Sequence, residues 1–145
     1  MNEKRLNKHQ QELIESLPID KILKRAKAVG KVSVIYLFGS YAQSRVTPGS
    51  DIDFAILFDK KPDPLEILDL KEDLAGITGC EADVAVLNTA SPILGMQVLK
   101  HGFPLVVPDS LEAAKYEMVT ISKYFDLKRI RRPIEEALIA EAADG

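Results

Sequence analysis

Two rhythms of apolar and polar positions run along the chain. Residues 32 to 38 (Val-Ser-Val-Ile-Tyr-Leu-Phe) and 54 to 58 (Phe-Ala-Ile-Leu-Phe) are short apolar runs, rich in β-branched and aromatic side chains and bounded by glycine, proline or charge. They predict two strands. Residues 81 to 87 alternate strictly, with Ala82, Val84 and Val86 on one face and Asp83, Ala85 and Leu87 on the other, which predicts a third. Residues 103 to 107, interrupted by Pro104, suit a short edge strand.

The helical rhythm fills the intervals. Residues 3 to 17 carry Leu6, Leu13, Ile14 and Leu17 among charges, a weak amphipathic helix. Pro18 opens a second helix, with Ile19, Ile22, Leu23, Ala26 and Val29 on one stripe and Gly30 as its stop. Leu65, Leu68, Leu74 and Ile77 predict a helix over residues 65 to 78. Ser91-Pro92 opens another, through Leu94, Val98 and Leu99 to Gly102. Asp109 and Glu112 have the spacing of a cap with its reciprocal acid. The helix they open reaches about Arg132, with Leu111, Ala114, Met118, Ile121 and Phe125 on its buried side. Pro133 ends or kinks it, and residues 134 to 143 add a turn or two. Strands alternating with helices predict an α/β fold, a small mixed sheet flanked by helices. The expected organisation is an N-terminal helical extension over 1–18, one domain over 19–132 and a short C-terminal helical tail over 133–145.

Chemistry concentrates in residues 39 to 53, GSYAQSRVTPGSDID, where the chain leaves the first strand at a Gly-Ser and enters the second at two carboxylates. On an extended backbone Asp51 and Asp53 project to one side, while Ile52 goes the other way with Phe54, Ile56 and Phe58. Side-by-side carboxylates repel unless a cation or hydrogen bonds offset the repulsion. Hard oxygen donors of this kind suit Mg²⁺ held together with substrate phosphates. Gly39 lets backbone approach a phosphate closely, and turn N–H groups at Gly39 and Ser40 attract anions. Asp83 has the surroundings of Asp53, an Ala two residues on and a Leu two beyond that. If their strands neighbour each other in register, Asp83 completes a three-carboxylate cluster.

Composition narrows the setting. A chain of 145 residues suits one domain, and a net charge of −3 argues against a nucleic-acid footprint. The one cysteine, Cys80, forms no internal disulfide, and there is neither a secretory segment nor an apolar run of about 18 residues. A cytoplasmic protein with no membrane contact is expected. His9 and His101 read as ordinary helix or surface histidines, and Cys80 as a small, partly buried residue. Tyr41 either stacks on the site or covers the sheet. Lys128, Arg129, Arg131 and Arg132 form the densest basic cluster, either a solvated helix end or a contact for phosphates or an acidic partner.

The Gly-Ser, the Ser-Asp-x-Asp of SDID and the later acid in EADVAVL together resemble the DNA polymerase beta superfamily of nucleotidyltransferases. The likeness is to its single-domain branch, the minimal nucleotidyltransferases; NTASPILGMQVLKHGFPLVV fits that branch too. It covers roughly residues 20 to 130. The resemblance implies a polymerase-beta-like nucleotidyltransferase fold, with Asp51, Asp53 and Asp83 as catalytic and Mg²⁺-binding residues. It implies ATP as donor, its phosphates held at Gly39, Ser40, Arg45 and Ser50. Gln43-Ser44 departs from the commoner Arg-Gly, which removes one phosphate contact that Arg45 is placed to replace. The resemblance further implies an antitoxin that transfers AMP to a tyrosine of an all-helical HEPN-type ribonuclease partner, in a hetero-oligomer. Two alternatives stand beside this: binding and masking of the partner without catalysis, or nucleotidyl transfer to a small molecule.

Overall fold

The computed structural model describes residues 6–42 and 51–144. Its elements run α1 (Lys8–Ser16), α2 (Ile19–Lys27), β1 (Val32–Phe38), β2 (Ile52–Phe58), α3 (Pro64–Thr78), β3 (Ala82–Val86), α4 (Pro92–His101), β4 (Phe103–Val106) and α5 (Ser110–Asp144). The sheet order is β3-β2-β1-β4. β1 pairs antiparallel with β2 and β4, whereas β2 and β3 are parallel. The sheet is therefore mixed, and β4, with Pro104, lies at one edge.

Side-chain alternation divides the apolar residues between the two faces. One face presents Ile35, Leu37, Ile52, Phe54, Ile56 and Val84 to α2 and α3, which contribute Ile22, Ala26, Ile67, Leu70 and Leu74; α1 covers it with Leu13, Ile14 and Leu17. The other presents Val34, Tyr36, Ala55 and Leu87 to Val98 of α4 and Ala113 of α5. Close approach of the last two helices depends on Gly95. A Cβ there would meet the Tyr116 hydroxyl at 2.7 Å and Thr120 Cγ2 at 2.8 Å.

Two stripes expected from the helical rhythm are displaced. α3 buries Ile67, Leu70 and Leu74, leaving Leu65 and Leu68 in solvent. α5 packs through Ala113, Tyr116 and Thr120, and Leu111, Met118 and Phe125 are exposed. Both helices are apolar on more than one side, so the sheet and Gly95 select the buried side, and periodicity alone does not. α5 also continues through Pro133 to Asp144. The proline removes one N–H from an exposed stretch, where water can satisfy the Arg129 carbonyl left without its partner. From Lys128 to Ala143 every residue of α5 is exposed, Ile130, Ile134, Leu138 and Ile139 included.

Candidate active site

The strand ladder brings the acids to one end of the sheet. Asp53 lies opposite Phe38 of β1 on one side and opposite Asp83 of β3 on the other. In a parallel pair, residues in register share a face, so Asp53 and Asp83 project together on the side of α4 and α5. Asp51, exposed, immediately precedes β2. Ile52 and Phe54, fully buried on the opposite face, prevent β2 from slipping by one residue, which would turn Asp53 into the core.

Gly39 follows Phe38 directly and takes φ +74°, a conformation that favours glycine. A Cβ on Gly39 would lie 2.2 Å from Asp53 Oδ2 and 3.1 Å from its Cγ. The carboxylate of Asp53 thus occupies the space that a side chain at position 39 would need. Gly39 and Asp53, separated in sequence, pack directly against each other.

Electrostatics sets the two central acids apart. Burial, reinforced by the charges of Asp83 and then Asp51, pushes the Asp53 carboxyl above its ordinary value. Asp83 moves the other way. Lys71 Nζ stands 2.7 Å from Asp83 Oδ1, and the Val84 N–H donates to the same oxygen at 3.0 Å. The Lys71 hydrogen bond is the main cause of the lowered Asp83 pKa; partial burial opposes it, and the charge of Lys71 and the Val84 N–H add to it. Asp83 therefore stays ionised at a pH where Asp53 has begun to take a proton.

Among the described residues, no group of three or more His, Cys, Asp and Glu side chains is close enough together to hold a metal ion. Lys71, reaching from α3 on the opposite face of the sheet, engages Asp83 at edge strand β3. The donor set nevertheless suits a hard divalent cation. It is all carboxylate oxygen, and Asp53 carries like-charge repulsion that such a cation would offset.

Of the other residues expected to act, Gly39 and Ser40 form a turn directly beside Asp53, while Arg45 and Ser50 lie outside the described residues. Tyr41 donates to or accepts from Cys80 Sγ at 3.0 Å and packs against the core. Three residues of the basic cluster are engaged within their own helix: Arg129 with Asp126, Arg132 with Glu136, and Lys128 over the Tyr124 ring at 5.7 Å. A cavity of about 520 Å³ between α4 and α5 is lined by Met96, Leu99, Ile121 and Tyr124 and includes none of the acids. The sequence reading missed Lys71, whose position twelve residues before Asp83 carries no local signal. It also missed His9 and Gln10, whose side chains reach the carbonyls of Tyr41 and Ala42.

Comparison with known proteins places this geometry among relatives. A family model described as "Polymerase beta, Nucleotidyltransferase" matches residues 19–110. The chain is similar to protein adenylyltransferase MntA of Shewanella oneidensis, 34% identical over 134 residues that cover 90% of this chain and 94% of that protein. Among solved structures, a toxin–antitoxin crystal structure with AMP-PNP superposes with a TM-score of 0.75 at 31% identity, covering 85% of this chain and 99% of the other. A tri-AMPylated Shewanella oneidensis HEPN toxin in complex with its MNT antitoxin gives 0.70 at 30% identity, covering 89% and 98%. Among the described residues, no helix is long and apolar enough to cross a membrane.

Proposed function

Given that the chain belongs to the polymerase beta nucleotidyltransferase family, we propose that it is a magnesium-dependent protein adenylyltransferase of the MntA type, moving AMP from ATP to a tyrosine of a HEPN-type toxin and thereby acting as its antitoxin. The observation that carries this reading is the register of Asp53 against Asp83, with the Gly39 turn packed on the Asp53 carboxylate. The names of its relatives, an adenylyltransferase and antitoxins solved with their toxins, supply the substrate class.

The division of labour follows from the chemistry of each group. Asp51, Asp53 and Asp83 would hold the magnesium ions. When bound, these lower the pKa of an attacking hydroxyl and neutralise charge on the departing pyrophosphate. Gly39 and Ser40 offer backbone to the β and γ phosphates without a side chain in the way, and Arg45 and Ser50 add phosphate contacts. Asp83, kept ionised by Lys71, accepts the proton of the tyrosine hydroxyl as oxygen attacks the α phosphorus and the bond to pyrophosphate breaks. The exposed apolar residues of α5, Met118, Phe125, Ile130, Ile134 and Leu138 among them, support a protein as acceptor rather than a small molecule.

A second reading, masking of the partner without catalysis, is favoured by one observation: Asp83 is engaged by Lys71 rather than drawn into a group with Asp51 and Asp53. Incubation with magnesium, ATP labelled on its α phosphate and the proposed HEPN-type partner separates the two. Label on the partner is the outcome of transfer. Stable complex formation without label is the outcome of masking.

A further inference from the structure

Helix α1 lies outside the residues matched by the family model, which begins at position 19, yet it touches the turn that follows Gly39. His9 Nε2 donates to the Tyr41 carbonyl at 2.9 Å, and Gln10 Nε2 donates to the Ala42 carbonyl at 3.3 Å. Both contacts bridge 32 positions of sequence and land on consecutive carbonyls of the turn that begins at Gly39. Gln10 is itself held at its other end: its Oε1 accepts the Asn7 N–H at 3.1 Å, while the Asn7 side chain accepts the Gln10 N–H at 2.8 Å. This reciprocal cap keeps the amide of Gln10 aimed at Ala42. Leu13, Ile14 and Leu17 seat the helix on the core, so the two donors are presented from a fixed support.

The consequence is set by peptide geometry. In a planar trans peptide the carbonyl of one residue and the N–H of the next point in opposite directions. Fixing the Tyr41 carbonyl toward α1 therefore turns the Ala42 N–H away from it. A short turn whose carbonyls are held on one side presents its N–H groups on the other, which is what a phosphate requires. No strand ladder reaches residues 40 to 42 to do this instead.

We infer that α1 is a positioning element for nucleotide binding, with His9 and Gln10 as positioning residues that preset the turn after Gly39 for the triphosphate. The inference rests on the nucleotidyltransferase reading above. It goes beyond that reading by assigning a role in ATP affinity to a helix that the family model does not include.

The test uses the full chain with its partner. The double variant His9→Phe/Gln10→Met keeps bulk at both positions and removes both donors. Its dissociation constant for a non-hydrolysable ATP analogue with magnesium, measured by calorimetry, should rise about tenfold, two lost hydrogen bonds at the modest net value of each. KM for ATP should rise in parallel, kcat should stay within about twofold, and His9→Gln, which keeps a donor, should recover most of the affinity. Were the double variant not to fold by circular dichroism, single His9→Phe would carry the same comparison with a smaller rise. Unchanged affinity, or a fall in kcat at constant KM, overturns the positioning role while leaving transfer by the wild type intact. Absence of nucleotide binding by the wild type overturns the parent reading and this one together.

Discussion

The two ends of the β2–β3 ladder are built from the same parallel pair and differ in one respect. At the far end, Asn88 completes the hydrogen bonding. Its side chain accepts the Phe58 N–H at 3.0 Å and donates to the Phe58 carbonyl at 2.7 Å, and the Leu87 N–H reaches the Ile56 carbonyl at 2.9 Å. At the near end, Asp53 and Asp83 face each other across the ladder as like charges, and among the described residues Lys71 pairs with Asp83. One end of the sheet is closed by hydrogen bonds, and the other holds like charges against each other. The contrast supports the proposed site: a half-buried carboxylate raised in pKa by burial and then by its neighbouring charges is a cost to folding that a bound cation can offset.

The largest effect is expected from disturbing the packing at the near end. Gly39→Ala places a methyl where Asp53 Oδ2 sits and strains a backbone at φ +74°. AMP transfer should fall on the order of a hundredfold from displacement of the carboxylate. A variant that transfers at the wild-type rate would show that Asp53 is not held by this turn. The opposite end gives the opposite pattern. Asn88→Ala strips both bonds from the Phe58 backbone and should cost about 1–3 kcal/mol in urea unfolding. Its kcat should be unchanged, because Asn88 lies about 17 Å along the strand from Asp53 at ordinary rise.

Smaller effects sharpen the difference between the two acids. Lys71→Met frees Asp83 from an ion pair that is partly exposed, with side-chain exposures of 35% and 60%. Magnesium affinity should rise by no more than a few fold, the scale of a solvent-screened pair; weaker binding would make Lys71 part of the metal site's support instead. The smallest effect is on stability. Asp53 has a folded pKa above the ordinary 3.8, so its favourable contribution is complete only below 3.8 and is lost as pH rises through the folded value. Without divalent ions, Asp53→Asn should therefore melt above the wild type at neutral pH, and the gap should close on acidification. Asp83 has the reverse sign: Lys71 lowers its pKa, so its contribution holds above the ordinary value and is lost as pH falls through the lowered one. Relative to the wild type, Asp53→Asn should raise the melting temperature at pH 7 and Asp83→Asn lower it, both differences shrinking toward pH 3.

Much of this was legible in the sequence where one residue's pattern decided it. The repeated Asp-x-Ala-x-Leu of β2 and β3 set both faces, because a strand has a period of two, so that Asp53 and Asp83 share a side once the two strands are neighbours in register. Helix faces were less legible, since α3 and α5 carry apolar residues on several sides and the choice among them is made by the sheet. That the Asp83 carboxylate finds a cationic partner was not legible at all. Lys71 meets it through packing of α3, not through spacing along the chain. His9, expected as an ordinary helix or surface histidine, does lie in a helix, and its partner comes from a turn 32 residues away. Pro133, expected to end or kink the last helix, does not end it: α5 continues to Asp144, with the proline on an exposed stretch.

The central claim is that Asp53, not merely the fold around it, carries nucleotidyl transfer. The direct measurement is the intact mass of the helical partner protein after incubation with magnesium, ATP and either wild type or Asp53→Asn, the variant first shown to be folded and to form the complex. The account predicts added AMP with the wild type and a loss of at least a hundredfold in transfer rate with the variant. Equal AMP addition by both proteins, or complex formation with no AMP added by the wild type, would contradict it.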